Sequence, residues 1–161
     1  MHSAHFDWWM FPIEDGRRRK FNVLRGDVAE LRADAEWAAR YRESVALVAR
    51  AWAWDVERAR PVEGAQAARG QAWTHWDVRL AKIVRSLWLF ECDELMLSMQ
   101  KFARTVKPHG GFRYGSVALD ELLYMLPDDD GAAPITAGSP KLSPKMFAAG
   151  PPPFVDLRLA Q

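Results

Sequence analysis

Apolar residues recur every three or four positions over two long stretches of the chain, which is the period of an amphipathic α-helix. The first stretch begins at Asp27, whose carboxylate suits a helix N-cap, and it ends before Pro61, which cannot continue a helix. Its apolar stripe consists of Val28, Leu31, Ala35, Ala38, Tyr41, Val45, Val48, Trp52 and Val56. The pattern predicts one continuous helix roughly 50 Å long, which needs a partner to be stable.

The second stretch runs from Trp73 to Phe90 and has the same period. A short connection, residues 61–70, joins the two stretches, so we expect an antiparallel helical hairpin. The polar residues that follow Phe90 predict a break, with a separate helix from Asp93 to a point before Pro108.

A glycine-rich loop, residues 108–115, comes next, and a short helix is predicted from Ser116 to Met125. From Pro127 the composition changes, because six of the ten prolines lie beyond that residue. We therefore expect an all-α domain over residues 1–126, built as a helical hairpin or small bundle, and an extended proline-rich arm over residues 127–161.

The arm contains more apolar residues than a plain spacer needs, among them Phe147 and Phe154. These two side chains are predicted anchors for a partner protein or for a second copy of the chain. We expect deletion of residues 132–161 to leave a folded helical domain that no longer associates.

Charge is almost balanced, with 22 Lys and Arg against 21 Asp and Glu and a formal net charge of +1. No general field favours nucleic acid, although the basic run from Arg17 to Lys20 leaves nucleic-acid binding open as an alternative. The single cysteine, Cys92, excludes an internal disulfide, and no segment has the length and hydropathy of a membrane span. The expected location is the cytoplasm.

Familiar reaction signatures are absent from the sequence. No GxxxxGK[ST] phosphate loop and no Glu-x-x-His pair occurs. We assign no catalytic residue, and we expect neither a metal nor another cofactor.

One face of the second helix carries a group of polar residues that border its apolar side. This polar strip consists of His75, Arg79, Lys82 and Ser86. The interpretation that we favour for the polar strip is a solvated helix flank whose cations pair with Asp34, Glu36 or Glu43. The alternative is a small-ligand or enzyme pocket lined by Trp76 and other indoles, because an arginine fork beside a lysine suits a carboxylate or another anion.

The segment from Phe6 to Pro12 is too apolar to remain in water, and we expect it to pack onto the hairpin. The loop from His109 to Ser116 has the residue types of an anion or acid–base site, although it also suits an ordinary connection. The eight tryptophans suit either a ligand cage or the core.

Three elements together resemble the conserved N-terminal region of opioid growth factor receptor proteins. They are Trp9-x-Phe11-Pro12, a helix from Asp27-Val28 to Ala51-Trp52, and the stretch His75-x-x-x-Arg79-x-x-Lys82-Ile83-Val84-Arg85-Ser86-Leu87. The resemblance covers about residues 5–106. It implies an α-helical domain without assigned enzymatic activity and, in the animal members, recognition of a short opioid peptide.

This chain departs from that family in its short proline-rich end and in an Ala-, Arg- and Trp-rich composition typical of a high-GC bacterium. Opioid binding is therefore not transferred. The interpretation is a non-enzymatic helical module for protein or peptide recognition, which uses Trp9 and Phe11, the polar strip and the arm.

Overall fold

The computed structural model describes residues 5–14, 16, 19–65, 73–74 and 76–123. Its helices are α1 (Asp7–Met10), α2 (Arg25–Ala33), α3 (Ala35–Ala51), α4 (Asp77–Leu89), α5 (Asp93–Val106) and α6 (Asp120–Leu123). Its strands are β1 (Trp54–Asp55), β2 (Arg60–Pro61), β3 (Arg113–Tyr114) and β4 (Val117–Ala118). The arm with Phe147 and Phe154, together with His75, Arg17 and Arg18, lies outside the described residues.

The all-α prediction is wrong, because the structure contains two small antiparallel sheets. In the first, Trp54 lies opposite Pro61, and in the second, Arg113 lies opposite Ala118. The turn between β1 and β2 is closed by Asp55, whose Oδ1 accepts a hydrogen bond from the backbone N–H of Arg58 at 3.0 Å. Periodicity missed both sheets because each strand is only two residues long.

The single long helix was also a wrong prediction, since the backbone breaks at Asp34 between α2 and α3. The Asp34 side chain accepts hydrogen bonds from the backbone N–H groups of Glu36 at 2.9 Å and Trp37 at 3.0 Å. An aspartate inside an apolar period thus acts as the N-cap of a second helix. Further on, α3 ends at Ala51, and the chain enters β1 instead of continuing to Pro61.

The predicted break after Phe90 is confirmed, because α4 ends at Leu89 and α5 begins at Asp93. The helix predicted to start at Ser116 is wrong, because Ser116 lies in the turn between β3 and β4 and α6 begins only at Asp120.

Helix α4 is the centre of the fold. Every residue from Arg79 to Leu87 is buried, and α1, α5, α6 and β3 all contact this helix. Its most extensive packing is against α5, the helix that follows it, rather than against α3 as the hairpin prediction required. A helix buried on all sides must find internal partners for its polar side chains.

The N-terminal segment, residues 5–14, packs on this central helix as expected. Phe6, Phe11 and Ile13 are each at most 2% exposed. Burial of three such side chains contributes about 1.5–3 kcal/mol each to stability. Within the described part of the chain, no helix has both the length and the apolar character needed to cross a membrane.

Candidate functional site

The polar strip of α4 is occupied by a carboxylate from the N-terminal segment. Asp7 Oδ1 lies 3.3 Å from Arg79 Nε, and Asp7 Oδ2 lies 3.7 Å from Lys82 Nζ. All three residues are buried, with exposures of 7–8%. The two cations thus contact a carboxylate of the same chain.

Two cations face Asp7 in a region with little water. Burial lowers the pKa of the Lys82 ammonium, and the nearby charge of Asp7 opposes that shift. The Arg79 guanidinium carbon lies 4.1 Å from the ring centre of Trp76 and 5.6 Å from that of Phe6. Aromatic faces and one carboxylate therefore share the stabilisation of the guanidinium.

Ser86 is also used by the fold. The Tyr41 hydroxyl donates to Ser86 Oγ at 2.8 Å, and Ser86 Oγ donates to the Pro12 carbonyl at 2.9 Å. Burial raises the pKa of Tyr41 far above its usual range. This relay joins α3, α4 and the N-terminal segment.

A second ion pair also joins the N-terminal segment to α4. Arg85 Nη2 pairs with a carboxylate oxygen of Glu14, and the Arg85 guanidinium carbon lies 4.8 Å from the ring centre of Trp88. Two of the three acids predicted as flank partners interact elsewhere, because Asp34 caps α3 and Glu36 pairs with Arg40. Sequence reasoning missed Asp7 and Glu14, which are separated from their partners by 72 and 71 residues.

The loop predicted as an anion or acid–base site is pinned by two carboxylates. Asp120 Oδ1 accepts from the N–H groups of Gly111 at 2.8 Å and Phe112 at 3.3 Å. On the other side, Asp77 Oδ2 accepts from Lys107 Nζ at 2.6 Å and from the Arg113 N–H at 2.9 Å. These donors are therefore engaged within the domain.

Most of the indoles form core rather than a cage. Trp52 and Trp54, 4% and 2% exposed, lie with their ring centres 5.7 and 5.4 Å from that of Phe102. Trp73 meets the same phenylalanine edge-on at 5.6 Å.

A different part of the N-terminal segment faces solvent. Trp9 is 59% exposed, whereas Phe11, two residues later, is fully buried. The Trp8 ring stacks on His5 at 4.3 Å and lies 6.3 Å from Phe21. Lys20 Nζ lies 4.8 Å above the centre of the Phe21 ring. We call His5, Trp8, Lys20 and Phe21 the aromatic–basic surface, and Trp9 follows Trp8 on α1.

Only part of this surface could be predicted from the sequence. Trp9 was a predicted contact residue, but the basic run lacks interleaved aromatic residues apart from Phe21, which follows it. The 3-10 turn of Arg19–Phe21 brings that ring to Trp8. Trp8 and Phe21 are distant in the sequence, so no local pattern could predict their contact.

Two remaining candidates, the Cys92 thiol and a metal centre, do not form a site among the described residues. Burial raises the pKa of the Cys92 thiol, which makes it a poorer nucleophile. Across the described residues, no three His, Cys, Asp or Glu side chains are grouped so as to hold a metal ion.

Comparison of the chain with protein-family models, curated proteins and solved structures finds no match in any of the three. The resemblance to the opioid growth factor receptor region stays a prediction based on its three motifs.

Proposed function

We propose that this chain is a non-enzymatic protein- or peptide-recognition module that acts in the cytoplasm. The observation that carries the proposal is the 59% exposure of Trp9 on α1, a helix that also places Asp7 in a buried ion pair. An indole presented from a fixed element loses little conformational entropy on binding and gains apolar contact.

The use of the polar strip supports the same proposal. Arg79, Lys82 and Ser86 are buried, and their side chains bind Asp7 and the Pro12 carbonyl. These three residues therefore hold the N-terminal segment in place. The alternative, an enzyme or small-ligand pocket at these residues, requires displacement of Asp7 from two buried cations. Breaking such a pair costs about 3–5 kcal/mol, which a small ligand would have to supply.

The resemblance points in the same direction. In the first motif Trp9 is exposed and Phe11 is buried, and residues 79–87 of the third motif are buried beneath the N-terminal segment. The family's animal members recognise a short peptide, and peptide recognition is the part of that function proposed for this chain.

Native mass spectrometry of the full chain, purified from its own cells, tests the proposal. We expect a stoichiometric protein or peptide partner that is retained by the wild type and lost with Trp9→Ala. Leu47→Ala is the matched control, since Leu47 on α3 is 56% exposed. A bound metabolite that persists in Trp9→Ala and is lost in Arg79→Ala would instead establish the small-ligand alternative.

A further inference from the structure

We infer that a cleft between the end of α3 and the β1–β2 hairpin binds a small zwitterion of the α-amino acid class that has an apolar side chain. The inference goes beyond the proposed function, because none of the described residues of the N-terminal segment lines this cleft. Three features of the cleft carry the inference, namely its lining, the backbone strain beside it and the pairing of its charges.

The cleft, which we call the hairpin cleft, has a volume of about 210 Å³. Its lining consists of Ala46 and Arg50 from α3, residues 54–58 and Val62. Trp54 and Val56 are only 2% and 4% exposed, and the Trp54 indole N–H donates to Ser98 Oγ at 3.1 Å. A concave site with a fixed apolar part and a few charged groups suits a small molecule.

The backbone is strained at both ends of the lining segment 54–58. Ala53 has φ +60° and Ala59 has φ +48°, in the left-handed region that residues other than glycine rarely adopt. The Ala53 carbonyl accepts a hydrogen bond from the Val62 N–H at 2.9 Å, which holds the base of the hairpin. Strain of this kind persists where the surrounding structure enforces it, and it is concentrated at ligand sites.

Two arginines and two acids line the hairpin cleft, and only one of each is paired. Asp55 Oδ2 accepts from Arg58 Nη1 at 2.9 Å. This hydrogen bond is the main reason why the pKa of Arg58 is raised, and the charge of Glu57 is the smallest of the causes. The side chains of Arg50 and Glu57 are exposed and form no hydrogen bond or ion pair with the described part of the chain.

The unpaired arginine and the unpaired acid determine the class of ligand. The Arg50 guanidinium suits a carboxylate, and the Glu57 carboxylate suits an ammonium group. The four charges of the lining sum to zero, and the exposed Arg60 and Glu63 beyond it are also opposite in sign. The cleft therefore has no net field that would favour a phosphate or another simple anion. An α-amino acid supplies both charges, and its apolar side chain would cover the apolar part of the lining.

A titration of the full chain with each free apolar l-amino acid in turn, followed by NMR, tests the inference. We expect the indole N–H signal of Trp54 to shift and to saturate with at least one of them. The affinity should fall at least about tenfold with Arg50→Gln and with Glu57→Gln. The matched controls, Arg42→Gln and Glu63→Gln, are exposed residues outside the lining and should leave the affinity unchanged.

Altered ligands then separate charge pairing from folding. The amide of the bound amino acid lacks the carboxylate, so its weaker binding should be the same for the wild type and for Arg50→Gln. The N-acetyl derivative lacks the ammonium group, so its weaker binding should be the same for the wild type and for Glu57→Gln. A variant that failed to fold would instead lose all of these ligands alike.

Three results would overturn the inference. No saturable shift up to about 10 mM of any apolar amino acid would show that the cleft is not such a site. An affinity that both Arg50→Gln and Glu57→Gln leave unchanged would refute the charge pairing. An N-acetyl derivative that binds as tightly as the free amino acid and requires Arg50 would make the ligand the C-terminus of a peptide. Trp9→Ala, which tests the proposed function, should not change amino acid binding, so the two proposals fail separately.

Discussion

The carboxylate of Asp7 lies between two buried cations, 3.3 Å from Arg79 Nε and 3.7 Å from Lys82 Nζ. This contact connects the first described helix to the central one. It also places the candidate recognition residue Trp9, two positions after Asp7, on a fixed support.

Asp7→Asn should destabilise the fold by about 3–5 kcal/mol, because two buried cations lose their shared counter-charge. Glu36→Gln is the control: its exposed pair with Arg40 is worth at most about 1 kcal/mol. Urea unfolding followed by circular dichroism measures both variants. Equal midpoints for Asp7→Asn and the wild type would show that the buried pair does not stabilise the fold.

Lys82 predicts a pH dependence of stability in the alkaline range. Its pKa is lowered in the folded state, so the unfolded chain binds the proton more tightly. The cost of burying the charge is present at low pH and disappears as the pH rises from the folded pKa to the ordinary lysine value of 10.5.

The free energy of unfolding of the wild type, relative to Lys82→Met, should therefore increase across that window. Lys101→Met, which removes an exposed lysine, is the control variant. A wild-type advantage that falls with pH would contradict the sign of the Lys82 shift.

The hydrogen-bond relay predicts a coupled pair of substitutions. Ser86→Ala leaves the buried Tyr41 hydroxyl and Pro12 carbonyl without their partner and should cost about 1–3 kcal/mol. Tyr41→Phe should cost about 0.5–1.5 kcal/mol. The double variant should lose less than the sum, as a thermal-unfolding mutant cycle would measure; strict additivity would mean that the two hydroxyls act independently.

Two glycines should respond in opposite ways to alanine. Gly110 has φ +71°, and a Cβ there would lie 2.6 Å from Asp120 Oδ1, so Gly110→Ala should destabilise by about 1–3 kcal/mol. Gly26 in α2 has no atom within 4 Å of that position, and Gly26→Ala should stabilise by about 0.5–1 kcal/mol. Melting temperatures that shift in the same direction would refute the argument.

Local sequence patterns were sufficient to predict those features of the fold that depend on residues close together in the sequence. The break after Phe90 and the end of α5 before Pro108 follow from residues within a turn or two. Asp34 shows the limit of this reasoning, because the apolar period continues through it and only its hydrogen bonds reveal the cap. An apolar residue at every third or fourth position is expected both for one continuous helix and for two helices that meet at a cap.

The helical period placed Arg79 and Lys82 on one face of a helix, but it did not identify their partner. Both cations contact the Asp7 carboxylate, and nothing near them in sequence identifies that residue. The same applies to Lys20 and Trp8, which come together through Phe21. Long-range pairing of charges and rings is decided by tertiary packing.

The burial of α4 on every side also has a consequence for synthesis on the ribosome. Asp7 is translated 72 residues before Arg79, the residue that neutralises it. At about 5–20 residues per second, this separation corresponds to about 4–14 s. Throughout that time the nascent chain displays Phe6, Phe11 and Ile13 without their final cover, a natural binding target for a chaperone that works at the tunnel exit.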